Sequence, residues 1–230
     1  MTEDTTQEGA TQEDTTQLDE ARKAIIEKAL ELAPFDGWTV PMLRKAASEA
    51  GLTRETQLLA FPKGVMDLLE YHSQQADKEM LERLEDYDLK ALKIREKVTL
   101  AVRLRIEVVA THKDAIRRAA HTLALPMHHV TAMRITYATV DAIWRGIGDT
   151  STDINFYSKR AILAGVYTST MMRWLEDRSD GEQDTWAFLD RRIQNVMDFE
   201  KVKAKMRTAT EGVPSPWSIL GAIRYPAGKR

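Results

Sequence analysis

The chain has 230 residues, 33 basic and 35 acidic, with no cysteine and a net charge of −2. That length suits one domain, or one large domain with a small appended one, and is enough to bury a core without covalent staples. The missing cysteines exclude a disulfide framework, a thiolate nucleophile, a zinc ribbon and an iron–sulfur cluster. No stretch approaches the roughly 18–20 apolar residues that a membrane span needs.

Residues 1–20 hold seven acids and no base, so the segment is expected to be a disordered acidic tail. Without it the remaining body carries +5. Met1–Glu8 has neither a basic start with an apolar core nor an Arg-rich pattern, so a cytoplasmic bacterial protein is the expectation. From Leu18 the pattern is helical, with Ile25, Ile26, Ala29, Leu30 and Ala33 recurring at the spacing of one helix face. Thr39 as N-cap and Pro41 in the first turn predict a second helix through Ala46, Ala47 and Ala50, and Gly51 a turn. A short helix over 53–59 and a longer one from Val65 follow.

Ile94, Val98, Ala101, Val102, Arg105 and Val108 trace one stripe of a further helix. Lys113–Ala124 forms a shorter one. Pro126 opens another, with Met127, Val130, Met133, Tyr137, Val140 and Trp144 on one face, stopped by Gly146 and Gly148. Asn155–Asp177 is apolar nearly all round in its centre, which predicts a buried helix. Trp186, Leu189, Ile193, Val196 and Met197 mark a penultimate helix. No segment has a period of two. The fold class expected is all-α, with about nine or ten helices. After Pro214 and Pro216, an apolar cluster of Trp217, Ile219, Leu220, Ile223 and Tyr225, then Lys229 and Arg230, predicts a short segment suited to a membrane interface.

The patterns of dinucleotide sites, P-loops, zinc proteases and serine hydrolases are missing. His128 and His129 would point about 100° apart on a helix and make a poor chelate. No Glu-x-x-His pair offers a di-iron site. The expectation is a protein that is not an enzyme, with no catalytic residue, metal or cofactor.

Residues Arg22 to Leu69, through Gly37-Trp38-Thr39, Ala46-Ala47, Gly51-Leu52, Phe61 and Lys63, resemble the N-terminal helix-turn-helix of TetR-family regulators. Residues 21–64 carry a net charge of only +2, and the would-be recognition helix has one base and one acid. A duplex reader commonly makes about 6–10 phosphate contacts. The unit is therefore expected to be retained for packing, with no nucleic acid as partner; a ligand-responsive repressor is the alternative.

A longer resemblance covers about Arg22 to Met206. Asp141-Ala142-Ile143-Trp144, the string Gly148-Asp149-Thr150-Ser151-Thr152-Asp153-Ile154-Asn155-Phe156-Tyr157-Ser158-Lys159-Arg160-Ala161-Ile162-Leu163-Ala164-Gly165-Val166-Tyr167, and Asp184-Thr185-Trp186-Ala187-Phe188-Leu189 resemble the COQ-nine family. Its members are non-catalytic, lipid-binding accessory proteins of ubiquinone synthesis on a TetR-like fold. The resemblance implies a helix-turn-helix unit at 21–72, a lipid-binding and dimerisation domain at 73–207, and a membrane-contacting segment at 212–230.

It also implies a bound isoprenoid or phospholipid ligand in an apolar cavity. The residues expected to line it are Met133, Tyr137, Ile162, Leu163, Val166, Met171, Trp186 and Met197. The partner implied is a ring hydroxylase of ubiquinone synthesis, a di-iron demethoxyubiquinone hydroxylase or a functional equivalent. It would dock on Asp141, Ile143, Trp144, Phe156, Tyr157 and Arg160. A homodimer held peripherally at the inner face of the bacterial membrane completes the expectation. Phe156 stands where the family often has Trp, and Ile143 where a Met can occur.

Overall fold

A computed structural model describes residues 4–149 and 154–210, with side chains for 16–149 and 156–198. Among these residues there are nine α-helices and no strand, as expected. Two compact units are present, Met1–Leu189 and Asp190–Arg230.

The first unit begins with α1 (Asp4–Asp36). It takes in most of the acidic segment expected to be disordered, and its first turns hold Asp4 and Glu8, where acids suit a helix N-terminus. Ile25, Ala29 and Ala33 are fully buried along its inner face. Gly37, at φ +66°, turns the chain out of the helix in the left-handed region that favours glycine.

Helix α2 (Val40–Glu49) starts where Thr39 Oγ1 accepts the Met42 amide at 3.2 Å. Its small Ala46 and Ala47 are buried with Met42 and Leu43, which lets α1 and α2 approach closely. Helix α3 (Arg54–Ala60) is capped likewise by Thr53, which accepts from the Thr56 amide. One core joins these helices to the start of α4 (Val65–Leu84) and to Ala115 and Ala119 of α6 (Lys113–Leu123). Trp38 pins the union by donating its indole N–H to the Ala115 carbonyl at 2.9 Å. The boundary expected after residue 72 falls inside α4.

The remainder of this unit packs α4 against α5 (Ile94–Val108) and α7 (His129–Gly146), and α7 against α8 (Ile154–Glu176). The turn from α8 into α9 (Gln183–Thr210) is tied by Asp177, whose carboxylate accepts from the amides and hydroxyls of both Ser179 and Thr185 at 2.5–2.8 Å. Trp174 is fully buried beneath this turn and donates to Glu182. The described residues of the second unit are the rest of α9; Gln194 donates to Asp198 within it. No helix among the described residues is long and apolar enough to cross a membrane.

Candidate functional site

Helix α7 turns at Gly146, and the chain returns through α8, so the ends of these helices form a corner. Arg160 of α8 lies inside it, only 3% exposed. Its Nε donates to Asp141 Oδ1 at 2.7 Å, Nη1 donates to the Phe156 carbonyl at 3.2 Å, and Nη1 lies 3.5 Å from Asp149 Oδ2. The guanidinium also sits 3.4 Å from the centroid of the Phe156 ring. Asp141 takes a second cation, Arg145, at 2.7 Å, and Lys159 bridges to Asp149 at 2.8 Å. A planar cation with several donors can satisfy two carboxylates and a carbonyl at once, and that locks the corner.

The structure therefore divides the six residues expected to dock a partner. Ile143 is fully buried, and Trp144 and Arg160 nearly so. They shape the corner from inside and cannot be contact residues, which corrects the expectation for them. Asp141 and Phe156 are half-buried. Tyr157 is 68% exposed, edge-on to Phe156 with ring centroids 5.1 Å apart.

Beside the corner, the end of α4, the segment after it and the last turns of α7 border an open groove of about 590 Å³. Leu81, Leu84, Leu89, Ala138 and Ala142 supply its apolar lining; Glu85, Asp141 and Arg145 supply polar groups. Gly146 borders it too: a Cβ there would come within 2.5 Å of the Leu81 side chain, so the missing side chain keeps the helices close at this end. Asp141 thus belongs to both features, lining the groove and holding Arg160.

The eight residues expected to line a lipid cavity do not converge on this groove. Met133 and Tyr137 are exposed, at 70% and 49%. With Met127 and Val130 they form an outward apolar stripe that runs along α7 toward the groove. Interior placement is corrected for these two. Leu163 and Val166 are buried, and Ile162 and Met171 half-buried, on α8. Trp186 is half-buried, lies 4.9 Å from the Arg103 guanidinium and donates to the Gly181 carbonyl. Met197 lies on α9 in the second unit. Trp217, Ile219, Leu220, Ile223 and Tyr225 lie outside the described residues.

The sequence reading missed a buried polar cluster. Arg105 Nε donates to Asp77 Oδ1 at 2.6 Å and Nη2 to Ser73 Oγ at 2.9 Å; Thr139 donates to Asp77 at 2.9 Å. Burial pushes the Tyr167 phenol beside it upward, the neighbouring Arg105 opposing. The neighbouring His72 has its Nε2 buried with no hydrogen-bond partner among the described residues. Burial, then the Arg105 charge, holds its ring down at about 4.

An all-α body with a helix-turn-helix at its head and a helical domain behind it defines a TetR-like fold. A solved structure, the TetR transcriptional regulator from Nitrosomonas europaea ATCC 19718, superposes with a TM-score of 0.61, covering 75% of this chain and 95% of its own at 19% identity; this likeness shows the fold. The COQ9 family profile matches residues 129–200, which include α7, the corner, all of α8 and the first part of α9. Over 225 residues the chain is 29% identical to the ubiquinone biosynthesis protein COQ9, mitochondrial, of Rattus norvegicus, spanning 95% of this chain and 71% of that protein. It is 28% identical to the protein of the same name in Homo sapiens, with 95% and 70% covered, and 30% identical over 212 residues to COQ9-A of Xenopus laevis, with 89% and 66% covered. The chain is thus similar to COQ9 proteins over most of its length, and residues 129–200 match the COQ9 family, as the sequence resemblance implied.

Proposed function

We propose that this chain is a non-catalytic accessory protein of ubiquinone synthesis that holds an isoprenoid quinone intermediate and offers it to a ring hydroxylase. The observation that carries this reading is the apolar groove between α4 and α7, opening beside the exposed stripe Met127, Val130, Met133 and Tyr137. Its volume falls within the ~300–1,000 Å³ typical of small-molecule sites. Leucine and alanine suit a prenyl tail, which needs shelter from water and few hydrogen bonds, while Glu85, Asp141 and Arg145 suit the oxygenated ring.

The α7 stripe is the docking surface in this reading, with Tyr157 at the corner. Contiguous exposed apolar side chains cost solubility unless something covers them, so they mark interaction sites. A hydroxylase bound there would meet the ring end of a lipid in the neighbouring groove. The outward face of α8, with Ala161, Gly165, Thr168 and Met172 exposed, serves the homodimer, and the segment Trp217–Tyr225 serves peripheral membrane contact. The relatives are named as ubiquinone biosynthesis proteins, in agreement with this role.

The test is complementation: cells lacking this chain are scored for quinone after receiving the parent or Met133→Ser with Tyr137→Ser. The reading expects restoration by the parent alone. Full restoration by a variant with an abolished apolar stripe would contradict the docking step.

A further inference from the structure

The helix-turn-helix unit carries a surface that neither the groove nor the α7 stripe uses. Helices α2 and α3 border a cleft of about 250 Å³, with Arg44 and Ser48 from one side and Arg54 and Gln57 from the other. Arg44 and Arg54 make no ion pair among the described residues, nor does the exposed Lys63; Lys45 is engaged by Asp36 at 3.0 Å. Apolar side chains flank the two arginines. Val40, one turn before Arg44, is 52% exposed; Leu58, one turn after Arg54, and Leu59 are exposed at 49% and 67%.

In a duplex reader the outer face of α3 presents hydrogen-bonding side chains to base edges. Here it presents two leucines, and Glu49 and Glu55 reduce the charge of residues 40–63 to +2. Three exposed aliphatic side chains gain nothing against a phosphate backbone. At a bilayer they enter the headgroup–acyl boundary, while cations beside them meet lipid phosphates. Arginine suits that task because its planar fork binds phosphate oxygens in pairs.

We propose that the outer surface of α2 and α3 rests on an anionic phospholipid membrane, with lipid phosphate in the cleft between Arg44 and Arg54 and with Val40, Leu58 and Leu59 in the interface. This contact is separate from the one assigned to residues 217–225 and does not depend on the function proposed above.

The test uses the full chain and flotation with vesicles of phosphatidylcholine alone or with added phosphatidylglycerol. Arg44→Gln with Arg54→Gln should lower the apparent affinity for the phosphatidylglycerol vesicles by about tenfold or more, the scale expected for two cations at an anionic surface. Leu58→Ser with Leu59→Ser should lower it on both vesicle types. All four side chains line a cleft or face water, so circular dichroism should be unchanged. The chain has no native cysteine. Leu59→Cys therefore accepts a polarity-sensitive fluorophore at one site, with Glu176→Cys as the reference position; vesicles should blue-shift the first and not the second. Undiminished binding by the folded arginine variant would overturn the proposal, as would a label at 59 that stays in water. So would duplex DNA that displaces the vesicles and binds more tightly through the same arginines.

Discussion

Asp77 on α4 and Arg105 on α5 form an ion pair at 2.6 Å with both side chains withdrawn from water. Thr139 of α7 and Ser73 of α4 supply the remaining hydrogen bonds, so three helices meet at one charged centre. Removing one member leaves the other charged and buried, which costs about 3–5 kcal/mol. Asp77→Ala and Arg105→Ala should each lose about that much in urea denaturation. Asp77→Leu with Arg105→Met should recover more than half of it, because an apolar pair of similar volume leaves no stranded charge.

His72 gives the fold an acid sensitivity. Its ring titrates at about 4 when folded, against 6.5 as the ordinary value. The unfolded chain therefore binds the proton first as pH falls. The stabilisation is complete above pH 6.5 and is lost as pH drops toward 4, by an amount on the order of 3 kcal/mol. Thermal melts over that interval should show this loss, and His72→Gln should flatten it. Equal slopes in parent and variant would assign the acid sensitivity elsewhere.

The α7 stripe can be separated from the residues beneath it. Met133→Ser with Tyr137→Ser alters exposed side chains and should change stability by less than about 0.5 kcal/mol while impairing capture of the hydroxylase. Ile143→Ala removes a fully buried side chain and should cost about 2–5 kcal/mol. Asp141→Ala is no clean docking probe, because it strips Arg160 and Arg145 of their carboxylate. Pull-down and melting temperature, measured together, distinguish the cases.

The elements of the helix-turn-helix were readable because local chemistry sets their ends: Thr39 and Thr53 cap, and Gly37 and Gly51 adopt positive φ. The corner was located from its residue string, but which side chains face outward was not. Helix α8 has Ala161, Gly165 and Thr168 exposed, although its centre reads as apolar all round; small residues weigh as apolar in a pattern yet cost little in water. Met133 and Tyr137 repeat at core spacing on α7 and still point outward, because α4 and α5 cover a different face of that helix. Arg105 gave a usable signal, since it falls on the buried stripe of α5. A charge at such a position calls for a partner, and Asp77 was hidden inside a run of charged residues. The groove had no such signal, since residues far apart in the chain border it.

Solvent extraction and mass spectrometry of the purified protein, compared with Gly146→Leu, tests the groove most directly. A leucine there would collide with the Leu81 and Leu84 side chains that line the groove and so reshape it. The parent should carry a prenylated ring lipid, or take one up when it is added, and the folded variant should be depleted of it. A parent that ignores added quinone, or a variant that retains as much lipid as the parent, would contradict a carrier built on this groove.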